Sequence, residues 1–192
     1  RHRSRGARRQ ASMLHFVLHL RHVGPEMLQE YRMSRLDVFI NRMVSQRACL
    51  DHAAARTADF PGPVFELGLG NGRTYHHMRE TMPGRDIFVF ERAVAAHPDS
   101  TPADEMLILG DVRETLVEAL ARFGPTVALI HADLGGHNLS KNDAFARLVS
   151  PLIEPLLAPG GLMVSSDRMY FERLQEQELP PEAVPGRCFI YG

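Results

Sequence analysis

The pattern of apolar and polar positions changes once along the chain, near Phe60-Pro61-Gly62-Pro63. Before that point Leu28, Tyr31, Leu36, Phe39, Ile40, Met43 and Val44 recur at three- and four-residue steps, which makes one helical stripe. The spacing predicts a helix over about residues 25–46, with Pro25 suited to its first turn, and a shorter helix before it, capped by Ser12 and ended by Gly24-Pro25. Such a stripe reads first as core packing. A lid over a substrate pocket or a contact between subunits is the alternative.

After Pro63 the texture becomes short apolar runs separated by helical stretches: VFEL (64–67), DIFVFE (86–91), MLILG (106–110), VALIHA (127–132), GLMVSS (161–166) and RCFIY (187–191). Near-continuous apolar runs of this length indicate parallel strands buried on both faces by intervening helices, hence an open α/β sheet. The helices are predicted over residues 74–82, 112–123, 143–157 and 168–177, with Pro151 and Pro155 breaking or kinking the third. Three segments follow: a disordered basic arm (1–12), an N-terminal helical extension (13–58) and an α/β domain (59–192). In an open α/β sheet, ligands gather beyond the carboxyl ends of the strands.

Composition narrows this picture. With 192 residues and 44% apolar content, the chain can bury one sizeable core. A net charge of −1 gives no general reason to expect a nucleic acid or an anionic membrane as partner. Cys49 and Cys188 have neither metal-ligand nor C-x-x-C spacing, which fits a reducing cytoplasm. The opening RHRSRGARR reads as a solvated arm, with Met13 as the candidate natural start, and the apolar MLHFVLHL after it falls well short of the ~20 residues of a membrane span. No small-x-small cleavage site follows it.

The chemistry concentrates in PVFELGLGNGRT (63–74). Gly68, Gly70 and Gly72 follow a strand and precede a helix, the setting in which backbone approaches a ligand and helix amides receive an anion. A dinucleotide fingerprint G-x-G-x-x-G would need glycine where Arg73 stands. Instead Glu66 lies inside the apolar run, two residues before the first glycine, where a carboxylate needs a polar partner.

This Glu-x-Gly-x-Gly-x-Gly segment resembles the first motif of class I S-adenosylmethionine-dependent methyltransferases, in particular small bacterial members of unassigned substrate. The resemblance continues through Glu91 at the end of the second run, Asp111 after the third, His131, Asp133, His137 and Asn138 around the fourth, and Pro159-Gly160-Gly161 before the fifth. It implies a Rossmann-like three-layer α/β/α sandwich with a mostly parallel sheet, and S-adenosyl-L-methionine as cofactor. The cofactor-binding residues it implies are Glu66, Gly68, Leu69, Gly70, Asn71, Gly72, Thr74, Glu91, Arg92, Gly110, Asp111, Val112 and Asp133, with Glu91 on the ribose and Asp111 near the adenine.

Methyl transfer requires alignment of donor and acceptor and, for a hydroxyl acceptor, removal of a proton. His131, Asp133 and His137 are the candidate catalytic residues, with Asp133 alternatively orienting a histidine or meeting the donor's amino group. Asp133, Asn138 and Asp167 offer oxygens, but their spacing does not match the metal-assisted members, so no metal is expected. No Asn-Pro-Pro-Tyr type motif appears, which points away from adenine and glutamine and toward a small-molecule acceptor methylated at oxygen or nitrogen. Only one apolar run follows the fifth, where the family closes its sheet with an antiparallel pair. The substrate side is therefore expected to be minimal, leaving the N-terminal helices or a second copy of the chain to shape the acceptor pocket.

Each residue also has a plainer role: the glycines as a tight turn, Glu91 as a solvated strand end, Asp111 as a helix cap through Asp-x-x-Glu, and His76 and His77 as surface residues. Two other functions remain open on sequence alone. One is a catalytically silent S-adenosylmethionine- or S-adenosylhomocysteine-binding regulatory or scaffolding protein; the other, disfavoured by Arg73, is an NAD-dependent oxidoreductase.

Overall fold

A computed structural model describes residues 34–136 and 138–192. The basic arm, the first predicted helix, Leu28, Tyr31 and His137 lie outside the described residues.

Helix α1 spans Arg35–Arg56. Its start is fixed by Ser34 and Asp37: the Ser34 amide and hydroxyl donate to Asp37 Oδ2 (3.0 and 2.7 Å) and the Asp37 amide donates back to Ser34 Oγ (3.0 Å). The helix continues ten residues past the predicted end at 46, because RACLDHAAAR holds strong helix formers and no breaker. The stripe does not form its core face. Leu36, Phe39 and Ile40 are exposed, and the buried face is Ser45, Gln46, Cys49, Leu50, Ala53 and Ala54, with Leu50 as its one large apolar side chain. From Phe39 onward the chain forms one compact unit with the sheet.

The connection out of α1 is held by one side chain. The Arg85 guanidinium donates to the carbonyls of Thr57, Ala58, Phe60 and Gly62 (2.7, 3.1, 2.5 and 2.9 Å). Four carbonyls with no helical or sheet partner are satisfied in this way.

Six strands follow: β1 (Val64–Leu67), β2 (Ile87–Glu91), β3 (Leu107–Leu109), β4 (Val127–Ala132), β5 (Leu157–Ser165) and β6 (Phe189–Tyr191). They lie in the order β3-β2-β1-β4-β5-β6, all parallel except β6. Helices α2 (Arg73–Thr81), α3 (Val112–Phe123) and α4 (Leu139–Ile153) cross between them. Alternation along the strands divides the core. Phe65, Leu67, Phe90 and Ile130 pack with Leu116 and Ala119 of α3 and Val149 and Ile153 of α4. Val64, Val89, Leu129 and Val164 face Cys49, Leu50 and Ala53 of α1 and Met78 of α2. Every residue of the central strands β1 and β4 is buried, as a parallel sheet covered on both faces requires. The architecture is the expected Rossmann-like α/β/α sandwich.

Three local expectations are corrected. Residues 168–177 form no helix, because side chains of other elements capture their amides: Glu154 accepts from Arg173 and Leu174 (2.6 and 3.0 Å), Ser150 Oγ from Tyr170 (2.9 Å), and the Tyr191 hydroxyl from Met169 (2.9 Å). Helix α4 starts at Leu139 rather than 143, since Asn138 caps it by accepting from the Lys141 amide (3.1 Å). Pro151 is tolerated two residues before its end, and Pro155 lies in a following 3₁₀ turn. Pro159-Gly160-Gly161 sits inside β5 rather than before it, where the β4–β5 register shifts.

The sequence shows one apolar run beyond the fifth, yet a polar run adds a second antiparallel pairing there. Gln175 and Gln177 pair with Gly192 and Ile190 through three backbone hydrogen bonds (2.8–3.1 Å), a pairing no apolar pattern marks. Among the described residues no helix is long and apolar enough to cross a membrane.

Candidate functional site

The site gathers at the carboxyl ends of β1, β2 and β4. The loop after β1 turns on glycines in the left-handed region, and Gly72 (φ 78°) caps α2 with no side-chain cap of its own. A methyl group on Gly72 would stand 2.5 Å from Ser100 Cβ and 2.6 Å from the Ser100 carbonyl oxygen. Gly72→Ala is therefore expected to lower stability by roughly 2–4 kcal/mol in urea unfolding, from left-handed strain plus overpacking. Gly70 (φ 50°) differs, because among the described residues nothing lies within 4 Å of the place a side chain would take.

Glu91 closes β2 and reaches into this loop. Its carboxylate accepts from the amides of Leu69 and Gly70 (2.8 and 3.2 Å) and of Arg92 and Ala93 (2.7 and 3.4 Å). Partial burial raises its pKa, but the four amides outweigh burial and hold the carboxyl below its usual range. Two amides that the sequence offered to an incoming anion are thus taken by Glu91, which fixes the loop.

Glu66 is fully buried in mid-sheet and has two partners. Thr74 Oγ1 donates to Oε1 (2.5 Å), and His131 Nδ1, across the β1–β4 pairing, lies 2.6 Å from Oε2. Burial disfavours the charged imidazole, but the adjacent Glu66 and the field of Asp133 outweigh it and raise the His131 pKa. The ring is wholly enclosed, and among the described residues Nε2 has no partner. His131 lines none of the cavities around the strand ends, and its Nδ1 is engaged by Glu66.

Asp133, just past β4, is the hub. Arg42 NH2 contacts both its oxygens (2.6 Å each), and Gln46 Nε2 and Ser166 Oγ add hydrogen bonds of 3.1 and 2.6 Å. Burial pushes its pKa up, but Ser166, Arg42, Gln46 and His131 together keep it below the usual carboxylate range. Its carboxylate is thus held in place at the strand end by three side chains. Arg42 and Gln46 stand one turn apart on α1 and were not singled out by sequence reasoning, since a polar pair beside an apolar stripe carries no motif. Asp111 follows the plainer expectation: it caps α3 by accepting from the Arg113 amide (3.0 Å) and is locked by the Arg113 guanidinium (2.7 and 2.8 Å). Of the surface histidines, His77 pairs with Asp51 (2.7 Å).

Three cavities meet at Asp133. One of about 210 Å³ is lined by Gly68, Gly70, Glu91, Arg92, Gly110 and Val112. A second, of about 240 Å³, lies across the glycine loop, against Leu69, Asn71 and Thr74 on one side and Phe39, Arg42, Met43 and Gln46 of α1 on the other. The third, of about 340 Å³, opens toward Asn142, Ser166, Asp167, Arg187 and Phe189. Gly68, Gly70 and Asp133 border both of the first two. Among the described residues no group of three or more His, Cys, Asp or Glu side chains is placed to hold a metal ion.

Residues 33–192 match the family model described as S-adenosyl-L-methionine methyltransferase. The chain is 72% identical to an S-adenosyl-L-methionine methyl transferase from Silicibacter pomeroyi DSS-3, over 83% of this chain and 98% of that one, with a TM-score of 0.82. More distant matches include Aeropyrum pernix fibrillarin with natively bound S-adenosyl-L-methionine (16% identity, 78% and 76% of the two chains, TM-score 0.48). Another is human methyltransferase-like protein 13 in complex with SAH (12% identity, 79% and 80%, TM-score 0.49). No curated protein matches. With most of its length matched to that model and a near relative alike over almost its whole chain, this protein belongs to the S-adenosyl-L-methionine methyltransferase family and is an enzyme that uses S-adenosyl-L-methionine as its cofactor.

Proposed function

We propose that the protein methylates a small-molecule acceptor at oxygen or nitrogen, with the donor spanning the first two cavities and the acceptor in the third. The observation that carries this reading is the junction at Asp133: two cavities joined along Gly68 and Gly70 suit a nucleoside with an amino-acid tail, and a third of small-molecule size adjoins them. Bound there, S-adenosylmethionine supplies a methyl group on a cationic sulfur. Glu91, Gly110 and Val112 line the nucleoside side, where ribose hydroxyls share the Glu91 carboxylate with the amides that fix the loop. Arg42 and Asp133 offer opposite charges to the donor's carboxylate and ammonium, and Glu66 holds Thr74 in place under the loop. Phe39 and Met43 cover the tail cavity, which favours the lid reading of the apolar stripe over core packing.

Alignment is the main demand of the reaction, and the chain meets it with fixed walls rather than a strong base. In the third cavity Asp167, which accepts from Asn142 Nδ2 (3.2 Å), is the candidate to take a proton from a hydroxyl acceptor.

Two measurements test the reading. S-Adenosylhomocysteine at 100 times its dissociation constant should raise apparent stability by about 2.7 kcal/mol, while NAD should leave it unchanged. Incubation with methyl-labelled donor and a bacterial extract should place label in the small-molecule fraction. Label confined to RNA or protein would overturn the acceptor assignment, and binding without any labelled product would leave a silent donor-binding protein.

A further inference from the structure

The third cavity contains an imbalance that the proposed reaction does not explain. Each of its three carboxylates has a donor: Asp133 has Arg42, Asp143 has Tyr170 and Arg147, and Asp167 has Asn142. Of its arginines, Arg42 pairs with Asp133, and Arg168 pairs with Glu176 (3.2 Å) and lies over the Phe189 ring (5.3 Å). Arg187 is half-buried, lines the same cavity, and among the described residues its guanidinium has no hydrogen-bond or ion-pair partner.

The backbone around Arg187 is held on both sides. Its amide donates to the Val184 carbonyl (3.1 Å), the Val184 amide donates to Ser45 Oγ on α1 (2.9 Å), and the next residue, Cys188, is fully buried. A fixed stem thus presents a planar fork of N–H donors to a cavity next to Asp133. Partial burial strips water from such a cation without supplying an anion, and the geometry of guanidinium suits the two oxygens of a carboxylate or phosphate.

We propose that Arg187 is the subsite for an acid group, carboxylate or phosphate, carried by the methyl acceptor. This rests on the proposed placement of acceptor and donor, and it narrows the acceptor to small anionic molecules. The acid group sits on Arg187, against the Phe189 side of the cavity, and the atom to be methylated points back toward Asp133.

The test is calorimetry on the full chain, first with S-adenosylhomocysteine alone, then with benzoate, phenyl phosphate and benzamide titrated into protein saturated with it. At least one of the two anions should bind about tenfold or more tightly than benzamide, and the stronger anion identifies which acid group is preferred. Arg187→Gln should remove that advantage, and Arg187→Lys should keep part of it, while both leave S-adenosylhomocysteine affinity unchanged because Arg187 lines neither donor cavity. Equal binding of anions and benzamide, or anion affinity within twofold of wild type in Arg187→Gln, would overturn the proposal. If S-adenosylhomocysteine itself fails to bind, the donor assignment falls separately, and the same anion titrations on the free protein still read Arg187.

Discussion

His131→Ala is expected to lower the free energy of unfolding by about 3–5 kcal/mol, because it strands the Glu66 carboxylate in a fully buried site with only Thr74 as partner. For a chain of this size the thermal midpoint should fall by roughly 6–20 °C. The double variant Glu66→Gln/His131→Leu separates pair from packing: it should recover much of the loss, since replacing both partners of a buried ionic contact removes the stranded charge. Additive losses in the double variant would show that the two side chains are not coupled. The pH dependence has a definite sign. The folded-state pKa of His131 is raised above its ordinary 6.5, so its contribution is fully present below that value and is lost as pH rises through the folded pKa. Urea melts of wild type and His131→Ala should therefore converge with increasing pH.

The second large effect falls on donor binding. Asp133→Asn keeps the shape but removes the charge that Arg42, Gln46 and Ser166 surround, and S-adenosylhomocysteine affinity measured by calorimetry should drop by about 10- to 150-fold, the range for a lost charge-assisted hydrogen bond. Arg42→Ala should produce a loss of similar size, and the two together should cost less than their sum, because either one alone dismantles the pair. Unchanged affinity in both would remove the tail cavity from the binding site. The depressed Asp133 pKa sets the acid limit: its contribution is present above the ordinary carboxylate pKa of 3.8 and disappears as pH falls through the lower folded value.

Much of the sheet was legible because burial on both faces leaves an unmistakable mark. VFEL and VALIHA coincide with β1 and β4, and residues 112–123 with α3, where Asp111 and Gly124 bracket an amphipathic run. The failures share another physical cause. Residues 168–177 have a helical pattern, yet Glu154, Ser150 and Tyr191 take their amides, and competition from side chains distant in sequence leaves no local signal. The second half of α1 carries little apolar periodicity because its buried face has Leu50 as its one large apolar residue among alanine, cysteine and polar side chains.

The site divides the same way. The glycines and Glu66 announced themselves by spacing, and Glu91 by its position closing a strand. The surroundings of His131 carry no sequence mark, since a histidine at a strand end does not say which side chain its ring meets. Arg42, Gln46 and Arg187 carry no motif, since they come from opposite ends of the chain and meet only around Asp133.

Arg85 has a consequence for the order in which the chain takes shape during synthesis. The carbonyls of Thr57, Ala58, Phe60 and Gly62 leave the ribosome more than twenty residues ahead of the guanidinium that binds them. Until it arrives, the junction between α1 and β1 lacks the side chain that closes it and has only the Phe60 amide on the Thr57 carbonyl (3.1 Å). The bend that seats α1 on the sheet is therefore closed by a residue lying just before the second strand, which ties the helix to chain made after it.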